Sequence, residues 1–282
     1  MGTPVVSSTE LAPNVTRLEL EAPLIARKHQ AGQFIILRPD ATGERVPMSV
    51  ADKDLERGTI TTVIQRVGVS SDKLCRLQAG DEVADLVGPL GKPTHIENFG
   101  TAVCIGGGAG IPPLHLIARQ LKECGNTTVS ILGGRSKDYV FMEDELNRAS
   151  DELIVCTDDG SYGVKGFVTA CLGEMIEAGR QIDYVLAIGP PMMMRAVAEL
   201  TRPHEISTWA SLNTIMIDGT GMCGGCRVTV GDEPKFVCVD GPEFDAHLVD
   251  FDQMMQRLAM YRELEQRARG RHEEACKVGL DE

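Results

Sequence analysis

The chain changes rhythm once, near residue 98, and that change constrains its fold more than any other feature. Residues 1–97 hold short strand-like runs at close intervals: VTRLEL (15–20), QFIILRP (33–39), RVPMSVAD (45–52), TITTVIQRV (59–67) and DEVADLVGPLG (81–91). Gly, Pro and Asp turns separate them. This spacing predicts a small antiparallel β-barrel.

From residue 98 strands alternate with helices. TAVCIG (101–106) precedes PLHLIARQLKEC (113–124), and TTVSILGG (127–134) precedes FMEDELNRA (141–149). ELIVCTDD (152–159) leads to FVTACLGEMIEAG (167–179), and QIDYVLAIGPP (181–191) to MMMRAVAELT (192–201). That order implies a doubly wound α/β domain, a parallel sheet with helices on both faces. Residues 208–247 form a short, glycine-rich segment that holds the cysteine cluster. A charged helical stretch follows at 248–274, suited to packing on its own domain or on a partner subunit. The expected divisions are 1–97, 98–207, 208–247 and 248–282.

Composition narrows the partners. A formal net charge of −13 argues against nucleic acid and anionic membranes, which both reward basic patches. No run of eighteen apolar residues is present, and MGTPVVSSTELAP has neither the basic start nor the apolar core of a signal peptide. Nine scattered cysteines in such a chain favour reduced thiols and a metal site over a disulfide framework, and a cytoplasmic location is expected.

Three segments carry chemistry. Asp218, Cys223, Cys226 and Cys238 have the spacing D-x4-C-x2-C-x11-C, the plant-type iron–sulfur pattern with aspartate in place of its first cysteine. Glycines in this loop permit unusual backbone angles. A zinc site built on the three thiolates is the chemical competitor, and an Asx turn is the plain reading of Asp218-Gly219. Second, Gly106-Gly107-Gly108-Ala109-Gly110-Ile111 joins a strand to a helix, where glycine lets the backbone approach a pyrophosphate and the helix N-terminus offers N–H groups. Asp158-Asp159-Gly160 and Gly189-Pro190-Pro191-Met192 also follow strands, at the carboxyl edge where such sheets bind ligands. Third, Arg45 in the barrel can neutralise phosphate, and Gly68 with Ser70 and Ser71 opens a short helix.

In this order, a small barrel, a dinucleotide-type domain and a cysteine loop, the chain resembles the ferredoxin–NADP reductase superfamily with a C-terminal cluster. It is similar to the electron-transfer subunit of dihydroorotate dehydrogenase B. It is similar also to the small subunit of the NADH-dependent ferredoxin:NADP oxidoreductase and sulfide dehydrogenase group. Dihydroorotate dehydrogenase-type subunits have cysteine at position 218, whereas that second group has aspartate, as here.

The resemblance implies FAD on the barrel, against Arg45, Val46, Pro47, Met48 and Ser49, against Val63, Ile64 and Gln65, and against Gly68, Ser70 and Ser71. The superfamily's arginine-x-tyrosine-serine pattern is one residue longer here, with Met48 in the tyrosine's place. NAD(H) is implied against Gly106, Gly107, Gly108, Gly110, Ile111, Asp158, Asp159, Gly160, Gly189, Pro190 and Met192. Arg135 lies where NADPH-preferring relatives hold a 2′-phosphate. A 2Fe–2S cluster is implied on Asp218, Cys223, Cys226 and Cys238. The implied activity is hydride exchange between NAD(H) and FAD and single-electron exchange with the cluster, needing no catalytic acid or base. The implied partner is a larger catalytic flavoprotein subunit in an electron-bifurcating or transhydrogenase complex, with ferredoxin and NADP as remote partners. A dihydroorotate dehydrogenase electron-transfer subunit and a zinc-binding interaction module are the alternatives.

Overall fold

The computed structural model describes residues 2–277; Met1 and residues 278–282, the end of the expected C-terminal extension, lie outside the described residues. The first sheet is antiparallel and uses β1 (Thr3–Ala12), β2 (Val15–Glu21), β3 (Phe34–Arg38), β4 (Val46–Asp54), β5 (Thr59–Gln65), β6 (Glu82–Val83) and β7 (Asp85–Leu90). Its order is β6-β1-β2-β5-β4-β3-β7. The single run expected at 81–91 divides at Ala84, so consecutive residues occupy the two opposite edges. The Ala84 N–H, between the two, donates at 3.0 Å to the Arg38 carbonyl of β3, the neighbour of β7. The barrel is thereby nearly closed, which removes exposed strand edges. Two short helices accompany it, α1 (Pro23–Lys28) and α2 (Val69–Arg76).

The second sheet has the order β11-β10-β9-β8-β12-β13-β16. Its strands are β8 (Thr101–Gly107), β9 (Thr127–Gly134), β10 (Glu152–Thr157), β11 (Val164–Lys165), β12 (Tyr184–Ile188), β13 (Ser207–Ser211) and β16 (Glu243–Asp245). All its pairings are parallel except β13 with β16. Side chains alternate between two cores, as a sheet covered on both faces requires. Ala102 and Cys104 of β8, with Tyr184 and Leu186 of β12, join a core shared with the barrel and with α3 (Ile111–Glu123) and α4 (Glu143–Ala149). Val103, Ile105, Val185 and Ala187 face the other core, with α5 (Val168–Glu177) and α6 (Pro191–Thr201).

The cysteine-rich segment adds the hairpin β14 (Arg227–Val230) and β15 (Glu233–Phe236), and α7 (Val237–Asp240). The helix expected at 248–274 is two helices, α8 (Phe251–Leu258) and α9 (Arg262–Lys277). The first packs on α6 and β14 and the second on α2. His272 Nε2 lies 2.9 Å from Asp72 Oδ2 at that last contact. Among the described residues no helix is long and apolar enough to cross a membrane.

Candidate functional site

Strand β8 has its successor β9 on one side and β12 on the other, so the sheet order reverses between β8 and β12. Open α/β sheets bind ligands outside the carboxyl ends at such a point. A cleft of about 800 Å³ opens there and continues onto the barrel, walled by Pro47, Met48, Ser49, Val63 and Gln65 on one side. Gly107, Gly108, Gly110, Arg135, Asp158, Gly189, Pro190 and Met192 line the other.

The glycines are required by space and by backbone angle. A Cβ at Gly110 would stand 2.0 Å from the Ile188 carbonyl oxygen, and one at Gly189 would stand 3.0 Å from the Gly107 oxygen. Gly108 has φ +53 with no atom within 4 Å of its would-be Cβ, so bare backbone faces the cleft. This arrangement fits a pyrophosphate. Gly106 and Ile111 do not line the cleft; Gly106 packs beneath it, 2.9 Å from the Leu114 side chain by the same measure.

The remaining expected residues stand behind the walls. Ser70 and Ser71 are buried with their hydroxyls engaged: Ser70 Oγ accepts the Glu44 N–H at 2.8 Å, and Ser71 Oγ accepts those of Val67 and Gly68 at 3.0 and 2.9 Å. The Ser70 bond ties the loop that carries Arg45 to α2, and the Ser71 bonds close the N-terminus of that helix. A Lys73–Asp40 ion pair at 2.8 Å fastens the same loop. Among the described residues, Arg45 Nε is buried without a hydrogen-bond partner, the condition of a cation awaiting an anion. Val46 and Ile64 are strand residues, Ile64 in the barrel core. Asp159 Oδ1 accepts both the N–H and the hydroxyl of Ser161, shaping the turn in which Gly160 has φ +75. Those bonds hold its carboxyl below the usual range. Arg135 lies over the Tyr139 ring, 5.5 Å from its centroid.

Cleft residues outside the expected set include Phe34, Gly133, Tyr139, Phe167 and the run from Ser211 to Thr214. The run follows β13, whose polar sequence STWAS gave no strand signal. Gly133-Gly134 closes a strand that was expected, and its two glycines at a carboxyl edge were the available clue.

In the cysteine loop the donors fall into two pairs. Asp218 Oδ2 accepts the Cys223 N–H and Oδ1 the Thr220 N–H, each at 2.9 Å. The Thr220 bond, foremost, holds the Asp218 carboxyl below its usual range, so it stays anionic. The Asx turn is therefore present, and it fixes the carboxylate beside Cys223. Cys226 and Cys238 are buried with sulfurs 3.2 Å apart. Burial, then the Cys226 sulfur, raises the Cys238 thiol, so a metal must displace a proton there. Among the described residues, no three of these four bring ligand atoms within 4.8 Å of one another. Three thiolates and one carboxylate are four anionic donors, a set that fits the two irons of a 2Fe–2S cluster.

The loop packs on the barrel. Gly219 has φ +74, and a Cβ there would stand 2.5 Å from Ile36 Cδ1 and 2.9 Å from Leu90 Cδ1.

Comparison with known proteins places this arrangement. The family described as the iron–sulfur cluster binding domain of dihydroorotate dehydrogenase B matches residues 213–250. A Thermotoga maritima protein, a homolog of the electron transfer subunit of dihydroorotate dehydrogenase B (NAD(+)), is 44% identical, covering 93% of this chain and 92% of its own. The Geobacillus thermodenitrificans electron transfer subunit of that enzyme is 35% identical over 86% of this chain and 95% of its own. A solved chain of an NADH-dependent reduced ferredoxin-NADP oxidoreductase, studied for flavin-based electron bifurcation, superposes with a TM-score of 0.91. It is 42% identical and covers 96% of this chain and 98% of its own.

Proposed function

The chain belongs to the family of dihydroorotate dehydrogenase B electron-transfer subunits, and on that premise we propose that it exchanges hydride with NADH in the cleft and single electrons at the cysteine loop. It is a flavin and iron–sulfur oxidoreductase subunit. Bound FAD supplies the conversion between a hydride's two electrons and the single electrons of a 2Fe–2S cluster. The chain's own residues hold and align these groups. Strands β4 and β5 present Pro47, Met48, Ser49, Val63 and Gln65 to the flavin, and Arg45 meets its phosphates. The glycine turns after β8 and β12 receive the dinucleotide, with Asp158 and Arg135 at its far end. Asp218, Cys223, Cys226 and Cys238 would hold the two irons of the cluster.

One observation carries this reading: a single cleft is shared by the barrel strands and the sheet's glycine turns, and the cysteine loop packs against a strand of the same barrel. Aspartate at position 218 supports service in a bifurcating or transhydrogenase-type complex rather than in dihydroorotate oxidation; the identities to the two kinds of relative, 42% and 44%, favour neither. The partner is then a larger flavoprotein subunit, with ferredoxin reached through it.

The purified protein should be coloured, with one flavin, two irons and two sulfides per chain, and NADH should bleach the flavin anaerobically. A colourless protein with one zinc would refute the reading. Asp218→Cys should retain a cluster with altered spectrum and potential; an unchanged spectrum would remove Asp218 from the ligand set.

A further inference from the structure

Glu243 opens β16 where three parts of the molecule meet. Its Oε1 accepts a hydrogen bond from Thr94 Oγ1 at 2.5 Å, in the segment joining the barrel to the sheet. Against it lies the turn at Gly32, which lines the cleft: a Cβ on Gly32 would stand 3.1 Å from Glu243 Oε1 and 2.2 Å from Thr94 Oγ1. Its register partner in β13 is Ser211, another cleft residue, and the preceding Pro242 lines the cleft as well. Phe34, two residues beyond Gly32, pairs with Ser49 on the strand assigned to the flavin. The carboxylate thus stands directly behind the wall on which the flavin is proposed to lie.

Among the described residues Glu243 forms no ion pair, and Thr94 is its hydrogen-bond partner. The groups facing it from the other elements are neutral: the Thr94 hydroxyl, Ser211, the Cys104 thiol of β8 and the Tyr184 phenol of β12. Burial first, and then the charge of Glu243, pushes Cys104 up to about 12 and raises Tyr184 above its ordinary range, so both keep their protons. Burial raises the Glu243 carboxyl from 4.5 to about 7, against the opposing Thr94 bond. A half-buried carboxylate with no cation beside it relieves its desolvation by taking up a proton.

We propose that Glu243 is a redox-linked proton site: its carboxylate takes up one proton from solvent when electrons enter the adjoining cleft and releases it when they leave. No bond in the chain breaks. NADH supplies the electrons, and the added negative charge in the cleft raises the proton affinity of the carboxylate behind its wall. Linkage makes the effect reciprocal, so a protonated Glu243 favours the reduced cleft. The group acts through the cleft without touching a transferred atom, which makes it a positioning residue for charge.

The inference rests on the cleft holding flavin, and its test separates the two claims. The midpoint potential of the bound flavin is measured by spectroelectrochemistry from pH 6 to pH 8 in the wild type, in Glu243→Gln and in Thr94→Ala. The flavin's own protons give every protein a common slope. The wild type should fall more steeply than Glu243→Gln, by at most one proton per two electrons, and the two should converge at low pH. Thr94→Ala removes the bond that opposes protonation, so the steep region should move to higher pH. Reduced-minus-oxidised infrared spectra of the wild type, with 13C-labelled glutamate, should show a protonated carboxyl band gained on reduction. Equal slopes in wild type and Glu243→Gln, or no such band, would overturn the proposal while leaving the flavin assignment intact. A protein without flavin would overturn both. Should Glu243→Gln fail to fold, the infrared band and the Thr94→Ala shift still decide.

Discussion

Two titratable side chains, the half-buried Glu243 and the buried His29, act in opposite directions on stability over the same pH range. Glu243 is raised from 4.5 to about 7 by burial, so the folded protein binds its proton more tightly than the unfolded chain does. Its contribution is fully present below about pH 4.5 and is lost as pH rises through about 7. His29 is lowered from 6.5 to about 4, chiefly by burial, with its bond to the Gln33 carbonyl opposing and the Lys53 charge adding. It is 1% exposed, and its Nδ1 has no partner. Its contribution is present above pH 6.5 and is lost as pH falls through about 4. Each shift corresponds to something on the order of 3 kcal/mol, so in the wild type the two slopes offset one another. Relative to wild type, Glu243→Gln should gain stability as pH rises from 5 to 7, whereas His29→Gln should lose it. Urea midpoints at pH 5, 6 and 7 read this directly. Matching slopes in all three proteins would show that neither group is shifted.

At the scale of elements, β3 divides its side chains between two cores. Ile35 and Leu37 enter the barrel core, while Phe34 and Ile36 turn to the core shared with the cysteine segment. Phe34 lines the cleft and Ile36 touches the Gly219 turn, so one strand face connects the cleft to the proposed cluster loop. Truncating either isoleucine removes a fully buried side chain and should cost about 2–5 kcal/mol. Only Ile36→Ala should also broaden or shift the cluster's EPR signal and slow electron arrival from the flavin, because only it loosens the Gly219 contact. Equal spectral effects from Ile35→Ala would sever this assignment. The sequence made β3 legible as a strand, since QFIILRP is apolar throughout, but its two-faced role needed the third dimension. The main α/β elements were legible for the same reason, being long apolar runs. Strands β13 and β16 were not: STWAS mixes polar and apolar residues, and Glu243–Asp245 joins the sheet only through pairing with β13. At the candidate site, the glycine turns and the cysteine spacing were visible because each needs a particular residue type. The cleft wall from Ser211 to Thr214 does not announce itself, because ordinary side chains line it by position alone.

At the scale of the molecule, neither hydrophobic core respects the divisions suggested by sequence rhythm. One contains barrel residues such as Leu18 and Ile60 together with Leu114 and Leu121 of α3. The other joins Val103 and Met194 of the α/β region to Cys226, Val237 and Phe251, and takes in Phe34 and Ile36 from the barrel. The Arg17–Glu145 ion pair at 2.6 Å crosses the first of these boundaries, and β16 carries the parallel sheet across the second. Unfolding any one part would expose apolar surface belonging to its neighbour, which couples their free energies. The apoprotein should therefore unfold in one transition although its length suggests several units. Trp209, the single tryptophan, sits in β13 and reports the α/β region, whereas far-ultraviolet circular dichroism reports the whole chain. Their urea midpoints should coincide, with one slope describing both. Separate midpoints would mean that the barrel holds its fold without the core it shares, and the cleft would then be a hinge between independent bodies. Coincidence instead means that the barrel and the sheet are stabilised as one unit, so the two walls that would align the flavin's faces form and are lost together.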